Sequence, residues 1–220
     1  MTVTSSYDAL REAIVRGDLA PDVRLVEADL STTFEMSRGA VRTALIRLEQ
    51  DGLVVREPHR GARVRRVSDD EAVEILQARA VLEGLAARQA AERIDDVGVA
   101  RLKACVARQR ELLEHGDLLG ASDANAELHA TLLELSGHAT ALRLINSLNA
   151  RTVRYQYRTI LIPGRPVASL AEHAAIVEAV SAGDAAEAEG AMRRHLLNVA
   201  DAVKRGRLPG GIDSGSRGVL

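Results

Sequence analysis

Residues 5–66 constrain the fold more than any other part of this chain. Two short helical patterns lead into Met36-Ser37-Arg38-Gly39-Ala40-Val41-Arg42-Thr43-Ala44-Leu45-Ile46-Arg47-Leu48-Glu49, followed by Asp51-Gly52, the apolar run Leu53-Val54-Val55 and a basic hairpin. Helices feeding a further helix and then a hairpin make the layout of a winged helix-turn-helix, which implies DNA binding.

Ser37 can cap the free N–H groups that open a helix, and Arg38 and Arg42 follow on one face at i and i+4. Val41, Ala44, Leu45 and Leu48 recur at i, i+3, i+4 and i+7, so the opposite face packs inward. Such a helix suits the major groove, because arginine donates two hydrogen bonds to guanine O6 and N7. Arg47 lies further along and suits a phosphate better than a base.

Leu53-Val54-Val55-Arg56 and Ala62–Val67 read as two strands around Glu57-Pro58-His59-Arg60-Gly61. The tip is then a wing whose His59, Arg60 and Gly61 reach the minor groove or its phosphates. From 37 to 66 there are eight arginines against Glu49, Asp51 and Glu57, a local excess of five positive charges in a chain of net charge −2. Positive charge is concentrated here, as a nucleic-acid footprint requires. Across 67–206 there are twenty acidic and sixteen basic residues, so the remainder is not itself a DNA surface.

At 220 residues, 46% hydrophobic and 27% charged, the chain is ordinary globular material with room for two modest domains. No apolar stretch approaches a membrane span, and residues 1–20 lack a signal-peptide pattern, so a cytoplasmic protein is expected. Cys105 is the only cysteine and reads as a small core residue beside Leu102 and Leu112.

The fold class is mainly α. A winged helix-turn-helix at 1–66 precedes an antiparallel helical bundle at 67–206, and the Gly/Pro-containing 207–220 reads as a disordered tail. The bundle helices are expected at 68–94, 95–115, 117–136, 139–161, 168–182 and 184–205. Their breaks fall at Asp95-Asp96, Gly116-Asp117, Gly137, Pro163-Gly164-Arg165-Pro166 and Gly183-Asp184.

Histidines carry the chemistry of the bundle. His129 lies on a stripe with Asn125, Leu132 and Leu133; His173 shares a face with Ile176, Val177 and Val180; His195 sits with Ala188, Ala191, Met192 and Val199. Each alone reads as a core histidine bonded to a neighbour. Together, three imidazoles on three inward stripes can converge on zinc, nickel or a similar divalent ion. His115 stands at a helix end and His138 at a turn, outside this group.

The first domain resembles the GntR family of bacterial repressors, through Tyr7–Pro21, Arg24-Leu25-Val26-Glu27, Ser37-Arg38, Val41-Arg42, Ala44-Leu45, Arg47-Leu48-Glu49, Asp51-Gly52-Leu53 and Arg60-Gly61. The resemblance implies that Arg38 and Arg42 read bases, Ser37 and Arg47 contact the backbone, and His59, Arg60 and Gly61 form the wing contacts. Asp22 and Glu35 stand where the family usually has glycine, and Gly39 replaces a common threonine at the DNA face.

Leu128-His129, Leu132, Gly137, Glu172-His173, Ile176, Gly183-Asp184 and Met192 before His195 resemble the FadR-type FCD ligand domain in its metal-binding branch. This implies His129, His173 and His195 as ligands, with Asn125 where an Asp is usual. Three neutral imidazoles and a neutral amide leave a dication uncompensated, and no free Asp or Glu is evident at an inward position beside them, so a small carboxylate effector is expected. Arg79, in an Arg-x-x-x-Glu run with Glu83, and Arg154 are its candidate contacts. A homodimer on a pseudo-palindromic operator follows, because one recognition helix reads few base pairs. The competing reading is a metal-dependent enzyme acting on a small carboxylate with an appended DNA-binding module.

Overall fold

A computed structural model describes residues 5–57 and 61–206, with the backbone alone at 57 and 151–158. The first elements are α1 Ser6–Arg16, β1 Arg24–Leu25, α2 Glu27–Thr33, α3 Arg38–Gln50, β2 Val54–Glu57 and β3 Gly61–Val64. The helical elements after them are α4 Asp69–Ala91, α5 Asp96–Glu114, α6 Leu118–Ser136, α7 Ala139–Thr159, α8 Arg165–Ser181 and α9 Ala185–Arg205.

Local chemistry starts and stops these helices as their sequences predict. Ser37 accepts the Ala40 N–H at 3.2 Å and opens α3. Asp95, Asp117 and Asp184 do the same for α5, α6 and α9, accepting from Gly98, Gly120 and Glu187. Gly137, at φ +64°, closes α6 in the left-handed conformation that costs glycine nothing. α8 begins at Arg165, three residues before the expected start, because Pro166 sits in its first turn, where a missing N–H breaks no helical bond.

Two compact units emerge. The first combines residues up to 68 with 139–157, and the second combines 69–138 with residues from 158 onward. In the first, β1, β3 and β2 form an antiparallel sheet in that order, with Leu25 opposite Ala62 and Val54 opposite Val64. Their inner faces join Leu10, Ile14, Leu30, Val41, Leu45 and Leu48 in one core. The strand β1 was not visible in the sequence because two residues cannot display an alternating pattern, and β3 ends at Val64, short of the expected Val67.

The helix α7, read from sequence as a bundle member, groups with this first unit, and its Ala150 is part of the winged core. In the second unit α4 packs most extensively on α9, α5 on α6 and α8, and α8 on α9. Many buried residues of α4 are alanine, and a Cβ added to Gly84 would lie 2.8 Å from Arg193 Cγ, so α4 and α9 approach closely. No helix among the described residues is long and apolar enough to cross a membrane. The segment 207–220, expected to be a tail, lies outside the described residues.

Candidate functional site

The first unit presents a basic face. Val41, Ala44, Leu45 and Leu48 anchor α3 in the core, which leaves Ser37, Arg38, Gly39, Arg42 and Arg47 exposed. Arg42 donates to Glu27 of α2 through two nitrogens, at 3.1 and 2.9 Å. Arg47 stacks its guanidinium 4.2 Å from the centroid of the Tyr7 ring, and the Tyr7 hydroxyl donates to Asp51 at the end of α3. On the sheet, Arg24 and Arg63 are cross-strand neighbours and both exposed, which extends the basic surface. Gly61 opens β3 at φ +85°, whereas His59 and Arg60 of the expected wing lie outside the described residues.

The second unit brings His129 of α6, His173 of α8 and His195 of α9 together. All three are buried, and one ring nitrogen from each lies within 4.8 Å of the others. Ring centroids are 5.5, 5.2 and 4.5 Å apart. The Nδ1 atom of each ring faces an oxygen acceptor: Glu83 Oε2 at 2.5 Å for His129, Gln109 Oε1 at 2.8 Å for His173, and Glu172 Oε2 at 2.7 Å for His195.

These acceptors set the tautomers. A carboxylate or amide oxygen has no proton to give, so each Nδ1 carries hydrogen, and a neutral ring then presents a lone pair at Nε2. The Nε2 atoms of His173 and His195 stand 3.3 Å apart. A hydrogen bond between them would require one ring to become an imidazolium. Burial opposes that, holding His173 well below the ordinary imidazole range and His195 down to about 4. The spacing is compatible with one cation shared by the two lone pairs, since two nitrogens held tetrahedrally at about 2.1 Å from one ion stand roughly 3.4 Å apart.

Sequence reasoning saw no carboxylate beside these rings, and the structure corrects it with two. Glu83 is buried and also accepts from Arg79 Nε at 2.6 Å. Glu172 takes both Nη groups of Arg165, at 3.0 and 2.7 Å, and Asn198 Nδ2 at 2.9 Å. Buried carboxylates ordinarily resist ionisation, yet the guanidinium and imidazole partners hold both near 2. Glu83 had been read only as the i+4 partner of Arg79. Glu172, adjacent in sequence to His173, points off that histidine's face and reaches α9. The adjacent pair Glu172-His173 was the available signal.

Asn125 stands one turn before His129 and is partly buried, while Asp123 and Glu127 are exposed. Arg79 is mostly buried and tied to Glu83. The Arg154 side chain lies outside the described residues. Arg165, which the sequence did not single out, has a buried Nε with no partner among the described residues. Cys105 is buried, with its Sγ 3.9 Å from Thr131 Oγ1, as a core residue should be.

Comparison with known proteins covers both units. Residues 3–64 match "Bacterial regulatory proteins, gntR family" and residues 74–198 match the FCD domain. The chain is 29% identical over 199 residues to the HTH-type transcriptional repressor RspR of Escherichia coli strain K12, covering 90% of this chain and 87% of that one. It is 30% identical over 200 residues to an uncharacterized HTH-type transcriptional regulator of Streptomyces ambofaciens, covering 90% and 84%. The solved structure of E. coli McbR/YncC superposes with a TM-score of 0.78 at 21% identity, covering 93% of this chain and 99% of that one.

Proposed function

The chain belongs to the gntR family of bacterial regulatory proteins and carries an FCD domain, and from that premise we propose a repressor whose helical domain binds a divalent ion and a small organic-acid effector. Members of this family bind DNA, and the chain is a transcriptional regulator rather than an enzyme. Repression is supported by the names of relatives such as RspR of E. coli. By this reading residues 1–66 are the DNA-binding domain and 67–206 the effector domain, with α7 of the latter grouping with the first unit.

The observation that carries the metal reading is the pair of facing Nε2 lone pairs on His173 and His195. With His129 they would hold the ion, Asn125 would be the fourth group, and three imidazoles favour zinc or nickel. The bound ion supplies positive charge to which an anion can attach. Glu83 and Glu172 do not neutralise it, because Arg79 and Arg165 already balance them. The excess charge of an ion therefore still calls for an anionic effector. Arg79 remains its contact from sequence, whereas Arg154 falls in the α7 segment that groups with the first unit, and the orphan Nε of Arg165 adds a buried donor.

On DNA, Arg38 and Arg42 read bases with Gly39 beside them on the same face, Ser37 and Arg47 contact the backbone, and His59, Arg60 and Gly61 make the wing contacts. A homodimer on a pseudo-palindrome doubles the bases read, and sedimentation of the protein with and without DNA tests it. For the helical domain the decisive measurement is metal content. Purified protein should hold about one divalent ion per chain, lost in His129→Ala, His173→Ala and His195→Ala. A panel of small organic acids should then raise the melting temperature of the metal-loaded protein by mass action. Wild-type protein that takes up no divalent ion would overturn the metal site, and a metal-loaded protein indifferent to every acid would overturn the effector class.

A further inference from the structure

Arg42, the candidate base reader, has its Nε–Nη2 edge taken by a carboxylate. Its guanidinium grips Glu27 through Nε and Nη2, and Glu27 is the first residue of α2, so the pair links the two helices of the helix-turn-helix. The side chains are 64% and 36% exposed, a setting in which an ion pair shifts an equilibrium by up to about fivefold. Stability is a weak reason for it. Arg38 and Arg56 also act on Glu27, which places its carboxylate among several guanidiniums. On a surface that must attract phosphate, an anion there lowers affinity for every sequence alike.

We propose that Glu27 is a specificity-determining residue, holding the Nε–Nη2 edge of Arg42 until a guanine offers O6 and N7 to that edge in its place. The inference rests on Arg42 as a base reader. A bidentate arginine–guanine pair discriminates by roughly 5- to 150-fold, which exceeds what the exposed ion pair holds, so a matched base opens the fork. A phosphate on unmatched DNA offers a salt-screened attraction without a matching pair of acceptors in the groove, and it must also approach the Glu27 carboxylate. Glu27 thus penalises wrong sequences more than right ones.

The test uses the full chain, a duplex obtained by in vitro selection with it, and a random duplex of equal length, titrated across salt concentrations. Glu27→Gln keeps size and removes charge; Glu27→Ala is carried beside it, and Glu134→Gln, which breaks the exposed Arg101–Glu134 pair, controls for a charge change elsewhere. Both Glu27 variants should bind random DNA about three- to tenfold more tightly, lose selectivity by a similar factor, and show a salt slope steeper by up to about one. Unchanged binding to random DNA overturns the proposal. So does a loss confined to one C·G pair of the selected duplex, which would make Glu27 a direct reader of the cytosine amino group. If Arg42→Ala weakens selected and random DNA equally, the assignment of Arg42 itself fails. If Arg42→Ala loses selectivity while the Glu27 variants match wild type, only the role of Glu27 fails.

Discussion

His173 Nε2 faces His195 Nε2 across 3.3 Å while the Nδ1 atom of each ring is engaged by Gln109 and Glu172. Two buried rings therefore stay neutral in the fold although both would titrate near 6.5 in the unfolded chain. Their folded values are depressed by burial, to about 4 for His195 and well below the ordinary imidazole value for His173. As pH falls below about 6.5, the unfolded chain takes up protons that the fold refuses, so stability present at neutral pH is lost progressively toward 4. The melting temperature of metal-stripped protein should fall across that window, and the fall should be shallower in His195→Gln. A flat profile from pH 7.5 to 4.5 would contradict the neutral-ring assignment.

Glu83 connects Arg79 to His129, so its removal should act twice. Glu83→Gln leaves a largely buried guanidinium without its carboxylate, which costs about 3–5 kcal/mol where a buried pair is broken. It also exchanges the carboxylate that orients the His129 ring for a weaker amide acceptor, and weakening such an orienting partner lowers metal affinity, by up to about 10- to 100-fold where it is lost altogether. Replacing both charges, as Arg79→Met with Glu83→Gln, should restore much of the melting temperature but not the metal affinity. Recovery of both together would mean that Glu83 serves packing alone.

Much of this architecture is legible from local chemistry. Ser37, Asp95, Asp117 and Asp184 announce helix starts by their caps, and the period of Val41, Ala44, Leu45 and Leu48 fixes which side of α3 is buried. The three histidines were found by the same periodicity. Illegible were the partners that come from other helices: Gln109 reaches His173 across 64 residues of sequence and Glu83 reaches His129 across 46. Helical periodicity reports which way a side chain faces, not what it meets.

Asp22 and Glu35 adopt φ values of +64° and +52°, at the two positions where the family resemblance leads one to expect glycine. The backbone has kept the left-handed turn while the side chain has changed, which costs a non-glycine residue about 1 kcal/mol. Glu35 is exposed, so Glu35→Gly should raise stability by up to about that amount, read by denaturant midpoint. Asp22→Gly should gain less, because Asp22 also accepts from Arg66 Nε at 2.6 Å. Equal gains at both sites would show that the Asp22–Arg66 pair contributes nothing.

Gly39 faces outward in the first turn of α3 beside Arg38, and a Cβ built there meets nothing within 4 Å. Free protein therefore tolerates a side chain, and Gly39→Ala should stabilise α3 by a few tenths to about 1 kcal/mol through the lower entropy of its unfolded chain. The DNA side responds differently. A methyl at this position lies on the face that enters the groove, where apolar contact with the thymine C5-methyl is the available base discrimination. Gly39→Thr, which reinstates the residue common in the family, should change the selected operator by adding a thymine preference at one position per half-site, while the preferences set by Arg38 and Arg42 persist. Parallel in vitro selections with wild type and variant read this directly. Identical selected sequences would place Gly39 away from the bases, and loss of all preference would mean that the side chain had displaced the helix from the groove.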